Sequence, residues 1–196
     1  MGVSTAEYRV RPDKHIPGEA GVWVFLFGDL GIFVIFFVSY LVERAGEPGL
    51  YTESSGELGL AVGVVNTLVL LASSLAVVAG VSQVRRGQDR AAVGAFAGAM
   101  CCGVLFVALK AFEYTHLAAG GHGPDSNPFF TWYFILTGVH LLHVLIALGV
   151  LALVISKVRG SGDRQRRLMV IESGTCYWHL VDLLWMLIFP LLYLVA

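Results

Sequence analysis

Six ionisable side chains interrupt otherwise apolar stretches of this 196-residue chain: Asp29, His140, His143, Glu172, His179 and Asp182. A charge facing lipid costs on the order of several kcal/mol, so each needs a protein partner, water or a proton. His140 and His143 are three apart, as are His179 and Asp182, and Glu172 lies seven before His179, so each set shares one helix face. A carboxyl beside an imidazole can share a proton near neutral pH, and such a set suits proton exchange or the protection of a neighbouring proton path. For any single residue the plainer alternative is a hydrogen-bonded core His or Asp that fixes helix register.

The same residues admit two other chemistries. Imidazoles from two helices, His143 and His179, can ligate a haem iron if they reach one depth, but Asp29 and Asp182 would compete for their nitrogens. His140 and His143 with an acid match a metal set in ligand type, although H-x-x-H without a second partner is weak support. No metal and no cofactor is therefore expected on this chain. Cys101, Cys102 and Cys176 are odd in number and fall in or beside apolar runs, which fits packing residues rather than a disulfide framework. Lys110 and Glu113 can pair or snorkel at the end of their run, next to Tyr114 and His116. Phe129, Phe130, Trp132, Tyr133 and Phe134 read as an interfacial aromatic belt.

The elements that must position these groups follow from composition. Hydrophobic residues make up 57% of the chain and charged residues 14%, and the mean hydropathy is +0.75. Disorder is excluded and a membrane protein is indicated. The net charge of -1 gives no bias toward nucleic acid. About twenty apolar residues cross a bilayer, and five stretches reach that length, near 20–42, 59–83, 91–113, 129–156 and 173–195. No ten-residue alternation marks a barrel, so the expected fold is an all-α, five-helix membrane bundle forming a single domain. The first stretch is too long for a signal h-region and lacks a small-x-small exit, so the polar head with Pro12 and Pro17 is expected to stay attached.

Eleven of the thirteen basic residues precede the first stretch (Arg9, Arg11, Lys14) or lie between the second and third or the fourth and fifth. The positive-inside rule then places the N-terminus in the cytoplasm and the C-terminus outside. Counting 1.5 Å per residue from the cytoplasmic ends puts Asp29 and Asp182 at roughly 14 Å, His179 at roughly 9 Å, His143 at roughly 20 Å and His140 at roughly 24 Å. An overhang of the long fourth stretch brings its histidines nearer the acids, so the six are expected to form a loose layer. Gly59 with Gly63 and Gly94 with Gly98 suggest a tight contact between the second and third helices.

Four runs in order resemble the subunit III family of haem-copper oxidases: Val65 to Ser74 with Asn66, Ser73 and Ser74; Lys110-Ala111-Phe112-Glu113-Tyr114; Thr137 to Val144 with both histidines; and Glu172 followed by Tyr177 to Trp185, including Trp178. The resemblance extends from about Ile16 to the C-terminus and is similar to the short, five-helix bacterial form. It implies a subunit without a redox centre, which stabilises the catalytic subunit and supports proton uptake in aerobic electron transport. The implied partners are subunit I and subunit II, which carry haem and copper, in the plasma membrane of a bacterium, with structural phospholipid as a further companion. One departure concerns Asp29, where this family's short form usually carries a glutamate; with Pro17-Gly18-Glu19 and Trp23 to Asp29 it resembles the branch associated with nitric oxide reductase. Outside the family, an independent proton or small-solute carrier is the competing class, for which inverted repeats or broken helices would speak, and neither is evident.

Overall fold

The computed structural model describes residues 20–160 and 163–195; Arg9, Arg11, Lys14 and the run Pro17-Gly18-Glu19 lie outside them. The described residues form helices only: α1 (Ala20–Gly46), α2 (Pro48–Ser55), α3 (Leu60–Arg85), α4 (Asp89–Ala119), α5 (Pro128–Arg159) and α6 (Arg164–Tyr193). All but α2 are long and apolar enough to span a membrane. The five-helix expectation holds, with two changes at the edges. The short α2 occupies the acidic segment after the first span, where Pro48 supplies a preset φ at the start of the helix. Helix α6 begins at Arg164 rather than near 173, because Asp163 accepts a hydrogen bond from the Gln165 amide at 3.1 Å and caps a polar first turn. Asn127 caps α5 in the same way, through the Phe130 amide at 3.0 Å.

Short connections force neighbouring helices to run antiparallel. Between α3 and α4 the chain reverses through Gly87 at φ 75°, a left-handed conformation that favours glycine. Helices α3, α4, α5 and α6 pack in a ring, each against the next and α6 back against α3, while α1 leans on α5 and α6. Lipid tails are as apolar as Leu, so close packing and hydrogen bonds, rather than expulsion from water, hold such a bundle. The packing interior includes Leu70, Phe96, Phe106, Leu136, Leu184 and Trp185.

The close approaches differ from those expected of the glycine pairs. Gly94 and Gly98 have open space where a Cβ would stand. A Cβ added to Gly63 would lie 2.9 Å from the Phe189 and Tyr193 rings of α6, and the α3–α4 approach is made by Gly80, whose added Cβ would lie 2.7 Å from the Phe96 ring. Spacing alone identifies a smooth face but not which neighbour, if any, lies against it.

Candidate functional site

Helix α1 turns one stripe inward, and Asp29 lies on it between Leu26 and Phe33, all three buried. Its Oδ1 is 3.0 Å from Nε2 of His143 on α5, and the Phe33 ring stands edge-on to that imidazole. The other ring nitrogen, Nδ1, lies 2.7 Å from the Val139 carbonyl. A carbonyl only accepts, so Nδ1 carries hydrogen and donates to it. The contact with Asp29 then holds one further proton, as an imidazolium beside a carboxylate or as a carboxylic acid donating to a neutral ring. Either form is neutral overall, which suits an apolar site. Asp29 Oδ2 is buried without a hydrogen-bond partner.

A second polar set lies between α3 and α6. Nδ1 of His179 is 2.9 Å from Ser74 Oγ and 3.9 Å from Asp182 Oδ2. Nearer the charged end of the bundle, Arg85 donates to Glu172 Oε1 at 3.0 Å. Ser73, adjacent to Ser74, turns the other way and donates to the Ala99 carbonyl of α4 at 3.1 Å.

The third set is the most enclosed. Lys110 and Glu113 are 1% and 4% exposed, so this pair is inside the bundle and does not snorkel or anchor the interface. The Lys110 ammonium donates to Glu113 Oε2 at 2.9 Å, Tyr193 OH at 2.9 Å and Tyr133 OH at 3.2 Å, and lies 4.8 Å from the centre of the Trp185 ring. Tyr193 OH donates to the second oxygen, Oε1, at 2.5 Å. All three ammonium hydrogens and both carboxylate oxygens thus find partners. Tyr114 OH and Thr137 Oγ1 meet at 2.7 Å beside the cluster, and Trp185 Nε1 donates to Thr67 Oγ1 at 3.0 Å. His140 is fully buried against the Phe106 and Trp185 rings, and among the described residues neither its ring nitrogens nor the side-chain polar atoms of Asn66 and Trp178 have a hydrogen-bond partner.

The six expected members of one layer are therefore divided among three sets. His143 turns to α1 while His140, three residues earlier, turns to α4 and α6, because a step of three rotates about 60° short of a full turn on a helix. Counting from span ends could not fix that rotation or the register between helices. The tyrosines of the Lys110 cluster escape a search for acids and bases, yet Tyr133, Thr137 and His140 follow the four-and-seven spacing of a helix face. The expected aromatic belt is also largely interior: Phe129, Phe130 and Tyr133 are buried, and Trp132 Nε1 donates to the Glu43 carboxylate of α1. Under α2, Tyr51 packs edge-on against Tyr40 and Phe129; burial, with Glu43 and Glu47 adding to it, pushes its hydroxyl up to about 12.

Among the described residues no three His, Cys, Asp or Glu side chains converge as a metal site. With Nδ1 of His143 and of His179 engaged and Nε2 of His143 on Asp29, the haem arrangement weighed from the sequence does not assemble. A cleft of about 870 Å³ opens between α1, α5 and α6, lined by Val22, Phe25, Ile146, Val150 and Tyr177, with Arg166 at its polar end. Apolar walls with one cationic side chain match an acyl chain under an anionic headgroup.

Comparison with known proteins gives concordant matches. Cytochrome c oxidase subunit 3 of Synechocystis is 32% identical over 92% of this chain and 82% of its own length. Cytochrome c oxidase subunit 3 of Corynebacterium diphtheriae is 31% identical over 90% of this chain and 87% of its own. A Heme-copper oxidase subunit I+III of Aeropyrum pernix is 28% identical over 90% of this chain, which spans 22% of that longer protein. Residues 18–196 match the family described as Cytochrome c oxidase subunit III, and the chain, a multi-pass helical membrane protein, belongs to that family.

Proposed function

We propose that this chain is an accessory subunit of a haem-copper terminal oxidase, without a redox centre of its own, that braces the catalytic subunit and supports its proton uptake. Family membership carries the first part. The relatives named above are oxidase subunits, which favours this reading over the nitric oxide reductase branch suggested by Asp29. A relative whose name joins subunit I to subunit III supports subunit I as a partner, with subunit II completing the complex. Haem and copper belong to those partners. The setting that fits is the plasma membrane of a bacterium, N-terminus in the cytoplasm and C-terminus outside, with phospholipid in the cleft beside Arg166.

The proton role rests on one observation, the 3.0 Å contact of Asp29 with His143. One proton shared between Asp29 Oδ1 and His143 Nε2 leaves the pair neutral, and Asp29 Oδ2 has no hydrogen-bond partner among the described residues. Asp29 and His143 thus hold a proton at membrane depth; Phe33 and Val139 orient the imidazole that shares it. The accessory reading is tested by purifying the tagged chain from its native membrane: a haem and copper core is expected with it in stoichiometric amount, and none on the chain once separated. Reporter fusions test orientation, and a C-terminal tag accessible from the cytoplasm contradicts it.

A further inference from the structure

The ring of α3 to α6 has two seams flanking α6, and they are finished differently. Helix α1 leans over the seam with α5. The seam with α3 stays open, with Leu75, Val78 and Leu183 exposed along it. Its inner part is a groove of about 300 Å³ whose lining includes Val78, Ser82, Arg85, Glu172, Cys176 and His179.

The side chain of His179 is 37% exposed at the head of that groove. Ser74 engages Nδ1, and no hydrogen bond reaches Nε2 among the described residues. Behind it Asp182 is more than nine-tenths buried, and its Oδ2 has no hydrogen-bond partner among the described residues. His179 lies seven residues beyond Glu172, roughly 10 Å deeper along the helix at 1.5 Å per residue, within the hydrocarbon layer. An acyl chain offers an imidazole nitrogen no hydrogen bond, so leaving such a group unpaired there is unfavourable. Around His179 and beyond it, Leu75, Val78 and Leu183 make the face apolar, while Ser82 and the Arg85–Glu172 pair make its other end polar. The complement is a transmembrane helix that is apolar in one half and brings a hydrogen-bonding side chain to the level of His179.

We propose that the α3–α6 seam is the face on which a transmembrane helix of the oxidase's catalytic subunit docks, with a polar side chain of that helix paired to His179 Nε2. This assignment rests on the accessory-subunit reading and says where and by what chemistry the partner is held. A lipid acyl chain or a second copy of this chain on the seam is a competing outcome of the test.

A photo-crosslinking residue is placed at Val78 or Leu183 on the seam, or at the exposed Val104 on α4 as comparison, in tagged full-length chain within its native membrane. The seam positions are expected to crosslink the catalytic subunit at least about tenfold more than Val104. In parallel, His179→Leu is expected to lower the fraction of chain retained on the core after detergent washing by about fivefold to tenfold, the scale of one hydrogen bond. His179→Gln, which places an amide N–H near the position of Nε2, is expected to restore retention. Equal or higher yield at Val104, crosslinks only to lipid or to a second copy, or unchanged retention of His179→Leu overturns the docking face while leaving the accessory reading intact. A wild-type chain that purifies without any haem-copper core overturns that reading, and the face with it.

Discussion

Lys110 with Glu113 and Asp29 with His143 are both pairs of ionisable groups inside the bundle, but they are covered in opposite ways. Lys110 and Glu113 sit in the centre of the four-helix ring, where two tyrosines use up their remaining hydrogen-bonding capacity. Asp29 rides on the outermost helix, and among the described residues His143 is the hydrogen-bond partner of its carboxylate. Most of α1 faces outward, whereas α6 buries much of its length between α3 and α5. A closed cluster whose ammonium hydrogens and carboxylate oxygens all find partners fixes α4, α5 and α6 against one another. Asp29 keeps one carboxylate oxygen without a hydrogen-bond partner among the described residues and lies under thinner cover. The two regions thus differ as a closed structural cluster differs from the pair to which the proposed function gives proton exchange.

Breaking the closed cluster should give the largest effect on folding. Lys110→Met leaves Glu113 buried without its cation, a situation that costs about 3–5 kcal/mol, and the thermal midpoint and yield of chain in detergent should fall sharply. The double variant Lys110→Met with Glu113→Gln should recover part of that loss, because the second change removes the orphaned charge. If Lys110→Met alone retains wild-type stability, the cluster does not fix the helices. A smaller loss, about 1–3 kcal/mol, is expected from Gly80→Val, whose side chain would enter the Phe96 ring. Gly98→Val, in open space, should leave the same thermal midpoint nearly unchanged.

What the sequence made legible divides along the same line. Five spans are readable because bilayer thickness imposes a length and a composition that few other constraints mimic. Helix α2 is not, since Pro48, Gly49 and Glu53 read as a polar loop, and its packing depends on the distant Tyr40 and Phe129. The first turns of α6 carry three arginines, hence no hydropathy signal, although they are helical. For the site, residue types sufficed to pick out Asp29 and His143. The enclosure of Lys110 was hidden, because a lysine near the end of a span can equally reach the headgroups, and only the convergence of Tyr133 from α5 and Tyr193 from α6 decides otherwise.

Two finer changes sharpen the contrast. Trp185→Phe keeps the ring against His140 but deletes the hydrogen bond to Thr67, so a loss of about 1 kcal/mol is expected in the thermal midpoint. His143→Gln should destabilise the bundle no more than that, since α1 is peripheral; a loss as large as that of Lys110→Met would make the outer pair structural as well.

The most direct measurement of the division of labour is sustained oxygen consumption by the purified oxidase complex carrying either wild-type subunit or Asp29→Asn, with subunit stoichiometry determined on the same samples. Asparagine keeps the volume and a hydrogen bond to His143 but cannot take up or release a proton. Unchanged stoichiometry with a rate that falls over many turnovers is the predicted result. Equal initial and sustained rates, in complexes of unchanged composition, would contradict a proton role for Asp29 and leave its pairing with His143 as a structural contact.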